Sequence, residues 1–132
     1  MPALVLNEEN IPEMQTSIIP KTDWLSFFAS FSDRHREWLV ELGVLGLDPV
    51  KLVLESRLLL EGLTYQSREA SIEIFMGNES DAHITHSISE PVEVKLHQTA
   101  RGADAAITIK SADGVETVLA LQPGFLDQCQ AA

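Results

Sequence analysis

The chain has 132 residues, of which 45% are hydrophobic and 22% are charged. This length and composition predict one globular domain that can bury a core without disulfides. The 20 acidic residues outnumber the 9 basic ones, which gives a net charge of −11. Such a surface repels phosphate backbones and anionic lipids, so we expect neither a nucleic acid nor a membrane as a partner.

The cysteine content and the N-terminal sequence indicate the compartment. Cys129 is the single cysteine, so no disulfide can form within the chain. A lone thiol is typical of a reducing cytosol. The N-terminal residues do not combine a basic start with an apolar run, as a secretion signal would. No apolar stretch reaches the roughly 18 residues that a membrane-spanning helix needs. We therefore expect a cytoplasmic protein.

Hydrophobic patterning divides the chain into three regions. Residues 1–21 contain three prolines and no sustained hydrophobic period, which predicts an irregular N-terminal arm. Residues 22–121 carry helix and strand patterns and form the predicted single globular domain. Residues 122–132 have no such pattern and are predicted to be a C-terminal tail.

The domain begins with a predicted amphipathic helix. Its start is expected near Thr22, whose hydroxyl can cap an unpaired backbone N–H of the first turn. Trp24, Phe27, Phe28 and Phe31 then follow at positions i, i+3, i+4 and i+7. This spacing gives one aromatic stripe, which we interpret as the face of the helix that packs on the core.

Strands are predicted for the rest of the domain. From Val50 to Leu60 apolar residues alternate with charged ones, the pattern of a strand with one buried face. Short turns between the strands leave no room for crossover helices. We therefore predict an α+β, mainly β fold, in which the N-terminal helix packs on a curved antiparallel meander of six to seven strands, a barrel or half-barrel. The candidate strands are residues 38–45, 50–60, 71–76, 83–89, 92–97, 105–110 and 115–121.

The early strands also carry apolar residues on the face opposite the main core. Leu39, Val53, Leu59 and Phe75 occupy that parity together with Leu45. A face exposed to solvent would not carry them. Either the helix covers these residues, which is the alternative we favour, or a second copy of the chain does. Leu39, Val53, Leu59 and Phe75 are the candidate interface.

Histidine is the only reactive residue type that is concentrated in the sequence. His83 and His86 would share one face of a helix, but a strand places them on opposite faces. They are therefore weak candidates for a metal site. The sequence contains no nucleophile elbow and no glycine-rich phosphate loop. We assign no catalytic residue and no cofactor, and we incline against an enzyme.

Several segments, in their order along the chain, resemble a family of small bacterial proteins that is known as a domain of unknown function. The resemblance spans roughly residues 20 to 121. It implies a bacterial, cytosolic, single-domain protein and transfers no activity. The segments are DRHREWLV at 33–40, LLEGL at 59–63, IEI at 72–74, HITHSI at 83–88, GADA at 102–105 and SADG at 111–114.

Three functions follow as hypotheses. The first is a non-enzymatic interaction or accessory module that binds another protein or forms a homodimer. The second is a small-ligand-binding β-barrel that uses the inside or the mouth of the sheet. The third is a metalloprotein or an enzyme that uses His83 and His86.

Overall fold

The computed structural model describes residues 15–45, 51–77 and 83–122. These ranges contain one α-helix, one turn of 3₁₀ helix and eight strands. The elements are β1 (Gln15–Ile18), the 3₁₀ turn (Lys21–Asp23), α1 (Trp24–His35), β2 (Leu39–Leu45), β3 (Lys51–Gln66), β4 (Ser71–Gly77), β5 (His83–Ser89), β6 (Pro91–Gln98), β7 (Asp104–Ser111) and β8 (Glu116–Gln122).

The strands form one antiparallel sheet, in the order β1-β6-β7-β8-β2-β3-β4-β5. The prediction of a helix packed on a curved antiparallel sheet is confirmed, and the sheet stays open between the edge strands β1 and β5. The order differs from a simple meander, because β5 and β6 follow one another in sequence but do not pair. Glu90 alone connects them, and one residue is too short for the two-residue turn of a tight hairpin.

Strand β1 raises the strand count to eight and lies within residues 1–21, where we predicted an irregular arm. All four of its side chains are exposed, so it carries no hydrophobic period. Its pairing with β6 is made by the backbone, and the Ile19 N–H continues it by donating to the Val94 carbonyl at 2.9 Å. Thr16 Oγ1 also lies 3.1 Å from His97 Nδ1, but neither backbone pairing nor a polar contact of this kind leaves a hydrophobic period in the sequence.

Strand β3 is longer than the predicted Val50 to Leu60 strand and spans 16 residues. Its first part pairs with β2 and its second part with β4. The register with β4 shifts between Leu60 and Gly62, which is a β-bulge. Bulges bend a strand, and this one lets a single strand belong to both parts of the curved sheet.

The helix begins differently from the prediction. Thr22 lies inside the 3₁₀ turn, and the residue before α1 is Asp23, which makes no side-chain capping bond. The start is held instead by Trp24, whose indole N–H donates to the Ile19 carbonyl at 2.9 Å. As predicted, Trp24, Phe28 and Phe31 face the core, where each is at most 1% exposed.

Helix α1 covers the edge of β3 beyond the end of its pairing with β2. The Leu63 N–H donates to Ser32 Oγ at 2.9 Å, and the Ser32 hydroxyl lies 3.3 Å from the Leu63 carbonyl. One buried side chain thus replaces the backbone partners that a neighbouring strand would supply. Within the described ranges no helix is long and apolar enough to cross a membrane, and α1 has 12 residues.

Candidate functional site

The two histidines predicted as weak metal candidates point away from each other. His83 and His86 lie three positions apart in β5, so their side chains leave opposite faces of the strand. His83 Nδ1 is exposed and lies 3.0 Å from Glu61 Oε2. His86 is on the core side, where burial lowers the pKa of its imidazole. Among the described residues, no three His, Cys, Asp or Glu side chains are grouped as metal ligands.

Three of the four candidate interface residues lie on the face opposite the helix. Leu39 pairs with Leu59 across β2 and β3, and both side chains are half-buried, as is Phe75. The buried cluster that holds the helix aromatics contains their neighbours Val40 and Leu58 instead. The helix therefore covers the core face, and the favoured explanation of helix cover for the second face was wrong.

For the fourth candidate interface residue, Val53, the structure describes the backbone pairing only. Val53 pairs with Gly43 through the backbone of β3 and β2. Its side chain lies outside the residues whose burial is described.

A cleft lies between the edge strand β5 and the hairpin of β7 and β8. Its volume is about 220 Å³, and it opens to solvent. One side is formed by residues 86–89 of β5 and the other by the β7–β8 hairpin. Its lining residues are Val44, His86, Ser87, Ile88, Ser89, Ser111, Asp113, Val115 and Thr117.

Three turns meet beside this cleft and fix its rim. The Glu90 N–H donates to the Ala70 carbonyl at 2.7 Å, and the Ala112 N–H donates to the Glu90 carbonyl at 2.9 Å. These bonds join the β3–β4 turn, the β5–β6 connection and the β7–β8 turn. Ala70 and Glu90 have φ values of 51° and 54°, in the left-handed region that side chains other than glycine disfavour. The backbone there is strained, and the two bonds hold it in place.

Asp113 is the one carboxylate among the described residues that line the cleft. Its Oδ1 accepts hydrogen bonds from the Ser111 hydroxyl at 2.7 Å and from the Val115 N–H at 3.1 Å. These two bonds, the hydroxyl first, lower the pKa of the Asp113 carboxyl below its usual value. Gly114 completes the turn at a φ of 91°. The carboxylate is thus ionised at neutral pH and fixed in position by the turn.

A second polar cluster lies at the C-terminal end of α1 and joins it to β7. His35 Nδ1 donates to the Phe31 carbonyl at 2.8 Å, and its Nε2 lies 3.2 Å from Asp104 Oδ2. Arg34 also contacts Asp104, at 3.3 Å, and Gln98 donates to it at 2.8 Å. Burial lowers the pKa of His35, although the Phe31 carbonyl and Asp104 partly oppose this. The cluster connects the helix to the far side of the sheet.

Strand β5 forms an edge of the sheet. Within the described ranges it pairs only with β4, and that register has no shift over all seven residues. The strand reads HITHSIS and contains no acidic residue, no lysine, no arginine and no proline. Natural edge strands commonly carry such residues or bulges, which prevent pairing with another chain. This edge has none of these features.

Comparison with known families identifies the group to which the chain belongs. A family model matches residues 15–127, which include β1 to β8. The chain belongs to DUF5335, a family of unknown function. The match confirms the resemblance seen in the sequence. No curated protein and no solved structure matches this DUF5335 chain.

The cleft of this DUF5335 protein was not predicted from its sequence. In the sequence, Ser111 and Asp113 lie between two predicted strands, and His86 lies within another. The cleft arises because the β5–β6 connection places these elements opposite each other. Likewise, nothing local to His35 signals its contact with Asp104, since the two residues are distant in sequence. Both sites depend on the strand order.

Proposed function

We propose that this DUF5335 protein is a non-enzymatic interaction module that forms a homodimer through the edge strand β5. We place it in the bacterial cytoplasm, which its single cysteine and acidic composition suit. The observation that supports the dimer is the unprotected edge of β5. Its seven residues stay in regular register with β4, and no bulge or charged side chain obstructs the approach of another strand.

Pairing of β5 with β5 of a second copy satisfies the geometry of a two-fold dimer. Two identical strands that pair antiparallel are related by a two-fold axis, and the sheet continues from one protomer into the other. The backbone N–H and C=O groups of the two edges then bond to each other.

The charge of β5 also suits self-association. Two protomers that each carry a net charge of −11 repel one another over most of their surface. None of the 20 acidic residues lies in β5, so the paired strands place no like carboxylates opposite each other. The proposed contact therefore adds no direct repulsion between carboxylates of the paired strands.

The half-buried apolar face borders the same edge. Thr85 of β5 pairs with Phe75 of β4. Gly77 of β4 in turn pairs with Leu59 of β3. Phe75 is therefore two strand spacings, about 10 Å, from a strand added beside β5, and Leu59 is three spacings away. A second copy that extends over this face would cover them, which gives the predicted interface residues a place in the dimer.

Analytical ultracentrifugation over a wide range of protein concentration tests this proposal. Thr85→Lys places a charge on an exposed position of β5, and Ser17→Lys places the same charge on an exposed position of the other edge strand, β1. We expect a concentration-dependent dimer for the unmodified protein and for Ser17→Lys, and a monomer for Thr85→Lys. A monomer at every concentration, or a dimer that persists in Thr85→Lys, refutes the proposal.

The cleft supports a second candidate function, the binding of a small ligand. It is open to solvent, its rim is fixed by two backbone hydrogen bonds, and it combines apolar and polar lining residues. Ligand sites commonly have this composition.

A further inference from the structure

We infer that the cleft between β5 and the β7–β8 hairpin binds a primary ammonium group on a short apolar chain, either a free amine or the side chain of a lysine. The inference rests on the second candidate function, ligand binding at the cleft, and does not depend on the dimer. The charge, the hydrogen-bonding groups and the size of the cleft all suit such a ligand.

The charge of the cleft favours a cation. Asp113 is its only charged lining residue at neutral pH, since neither lysine nor arginine is among the residues that line it in the described ranges. Both hydrogen bonds described for this carboxylate end on Oδ1, which leaves Oδ2 to accept a bond from a ligand. An ammonium group beside it forms a charge-assisted hydrogen bond, whereas a carboxylate or a phosphate would be repelled.

The other polar groups of the cleft are compatible with an ammonium ion. The hydroxyls of Ser111 and Thr117 offer oxygen lone pairs, and an ammonium group has three N–H donors to satisfy. Burial lowers the pKa of His86, so its imidazole is neutral at neutral pH and does not repel a cation. The described lining residues thus supply one fixed negative charge and no opposing positive one.

The size and the apolar residues of the cleft set the length of the ligand. Its volume of about 220 Å³ lies above the roughly 150 Å³ of a cavity that holds benzene. It lies below the roughly 300 Å³ at which pockets for drug-sized ligands begin. Val44, Ile88 and Val115 supply apolar surface for a few methylene groups. A butylammonium ion, which is also the end of a lysine side chain, matches this description.

Titration followed by ¹H–¹⁵N NMR spectra tests the inference with three ligands of similar size, n-butylammonium, butyrate and n-butanol. We expect n-butylammonium to cause saturable shifts that concentrate at residues 86–89 and 111–117, with much weaker effects of butyrate and butanol. Asp113→Asn removes the charge but keeps an oxygen that can accept the two turn bonds, and we expect it to weaken binding at least about tenfold. Asp33→Asn, an exposed change on α1, is the matched control and should leave the affinity unchanged.

The possible outcomes distinguish two questions, namely whether the cleft binds any ligand and whether it selects ammonium groups. Equal binding of butyrate or butanol, or an unchanged affinity in Asp113→Asn, would show that the cleft binds ligands but does not select ammonium groups. No saturable shift with any of the three ligands would overturn ligand binding at the cleft as well. Nα-acetyl-lysine methylamide distinguishes the two sources, because tighter binding than n-butylammonium indicates a protein side chain, and weaker binding indicates a free amine.

Discussion

Replacement of Ser32 by alanine tests how the helix is joined to the sheet. Ser32 is 7% exposed, and its hydroxyl contacts both the N–H and the carbonyl of Leu63. In Ser32→Ala the Leu63 N–H loses the acceptor that it has at 2.9 Å. A buried donor without a partner costs about 1–3 kcal/mol, so we expect the free energy of unfolding to fall by about that amount.

Urea unfolding followed by tryptophan fluorescence measures the effect. We expect a lower midpoint with an unchanged m-value, because the same surface is exposed on unfolding. Ser30→Ala is the matched control, since Ser30 lies on the exposed side of the same helix. This change should alter stability by no more than about 0.5 kcal/mol.

Hydrogen exchange locates the effect within the molecule. If Ser32 replaces the missing strand, the Leu63 amide should exchange faster in Ser32→Ala than in the unmodified protein and the Ser30→Ala control. A Ser32→Ala protein as stable as the control, with unchanged exchange at Leu63, would refute the assigned role of the hydroxyl.

Two further predictions concern the rim of the cleft and its histidine. At Glu90, with φ of 54°, Glu90→Val should destabilise the protein by about 1–3 kcal/mol relative to Glu90→Gly, because a β-branched residue disfavours this conformation; equal urea midpoints would contradict this. Burial lowers the pKa of His86 below 6.5, so the unfolded chain binds its proton more tightly than the folded one does. Stability should therefore fall as the pH drops from 6.5 toward the folded pKa, and His86→Gln should lose less stability than the unmodified protein over the same pH range. Because the two proteins are compared at the same pH, the change in overall charge repulsion affects both alike. If the urea midpoints of His86→Gln and the unmodified protein changed with pH in parallel, the lowered pKa of His86 would be contradicted.

The elements that could be predicted are those whose sequence pattern reflects burial. Trp24, Phe28 and Phe31 recur with the helical period because one face of α1 packs on the core, and all three are buried. The strand over residues 83–89 was predicted with the bounds that the structure has. In both cases local patterning and tertiary packing agree, which is the condition under which sequence reasoning succeeds.

The elements that were missed depend on contacts without a local signal. The four residues of β1 are exposed, and backbone pairing and polar side-chain contacts such as that of Thr16 with His97 hold the strand. The pairing of β8 with β2 joins strands that are distant in sequence, and no alternation of side chains encodes a strand order. For the same reason, we favoured the wrong face of the sheet as the packing surface of α1. The aromatic stripe shows that the helix packs on a partner surface but not which face of the sheet supplies that surface.

Both proposed sites depend on the single-residue connection at Glu90. A two-residue turn at this point could pair β5 with β6 as a hairpin, and the sheet would then have no edge at β5. One left-handed residue instead directs the chain away from β5, and its N–H and carbonyl bond the turns on either side. The same residue therefore leaves the β5 edge without a partner strand in the described part of the chain and brings β5 opposite the β7–β8 hairpin to form the cleft. The strained backbone conformation of Glu90 is thus explained by its place between β5 and β6. A relaxed turn that paired these two strands would remove both the free edge of β5 and the cleft.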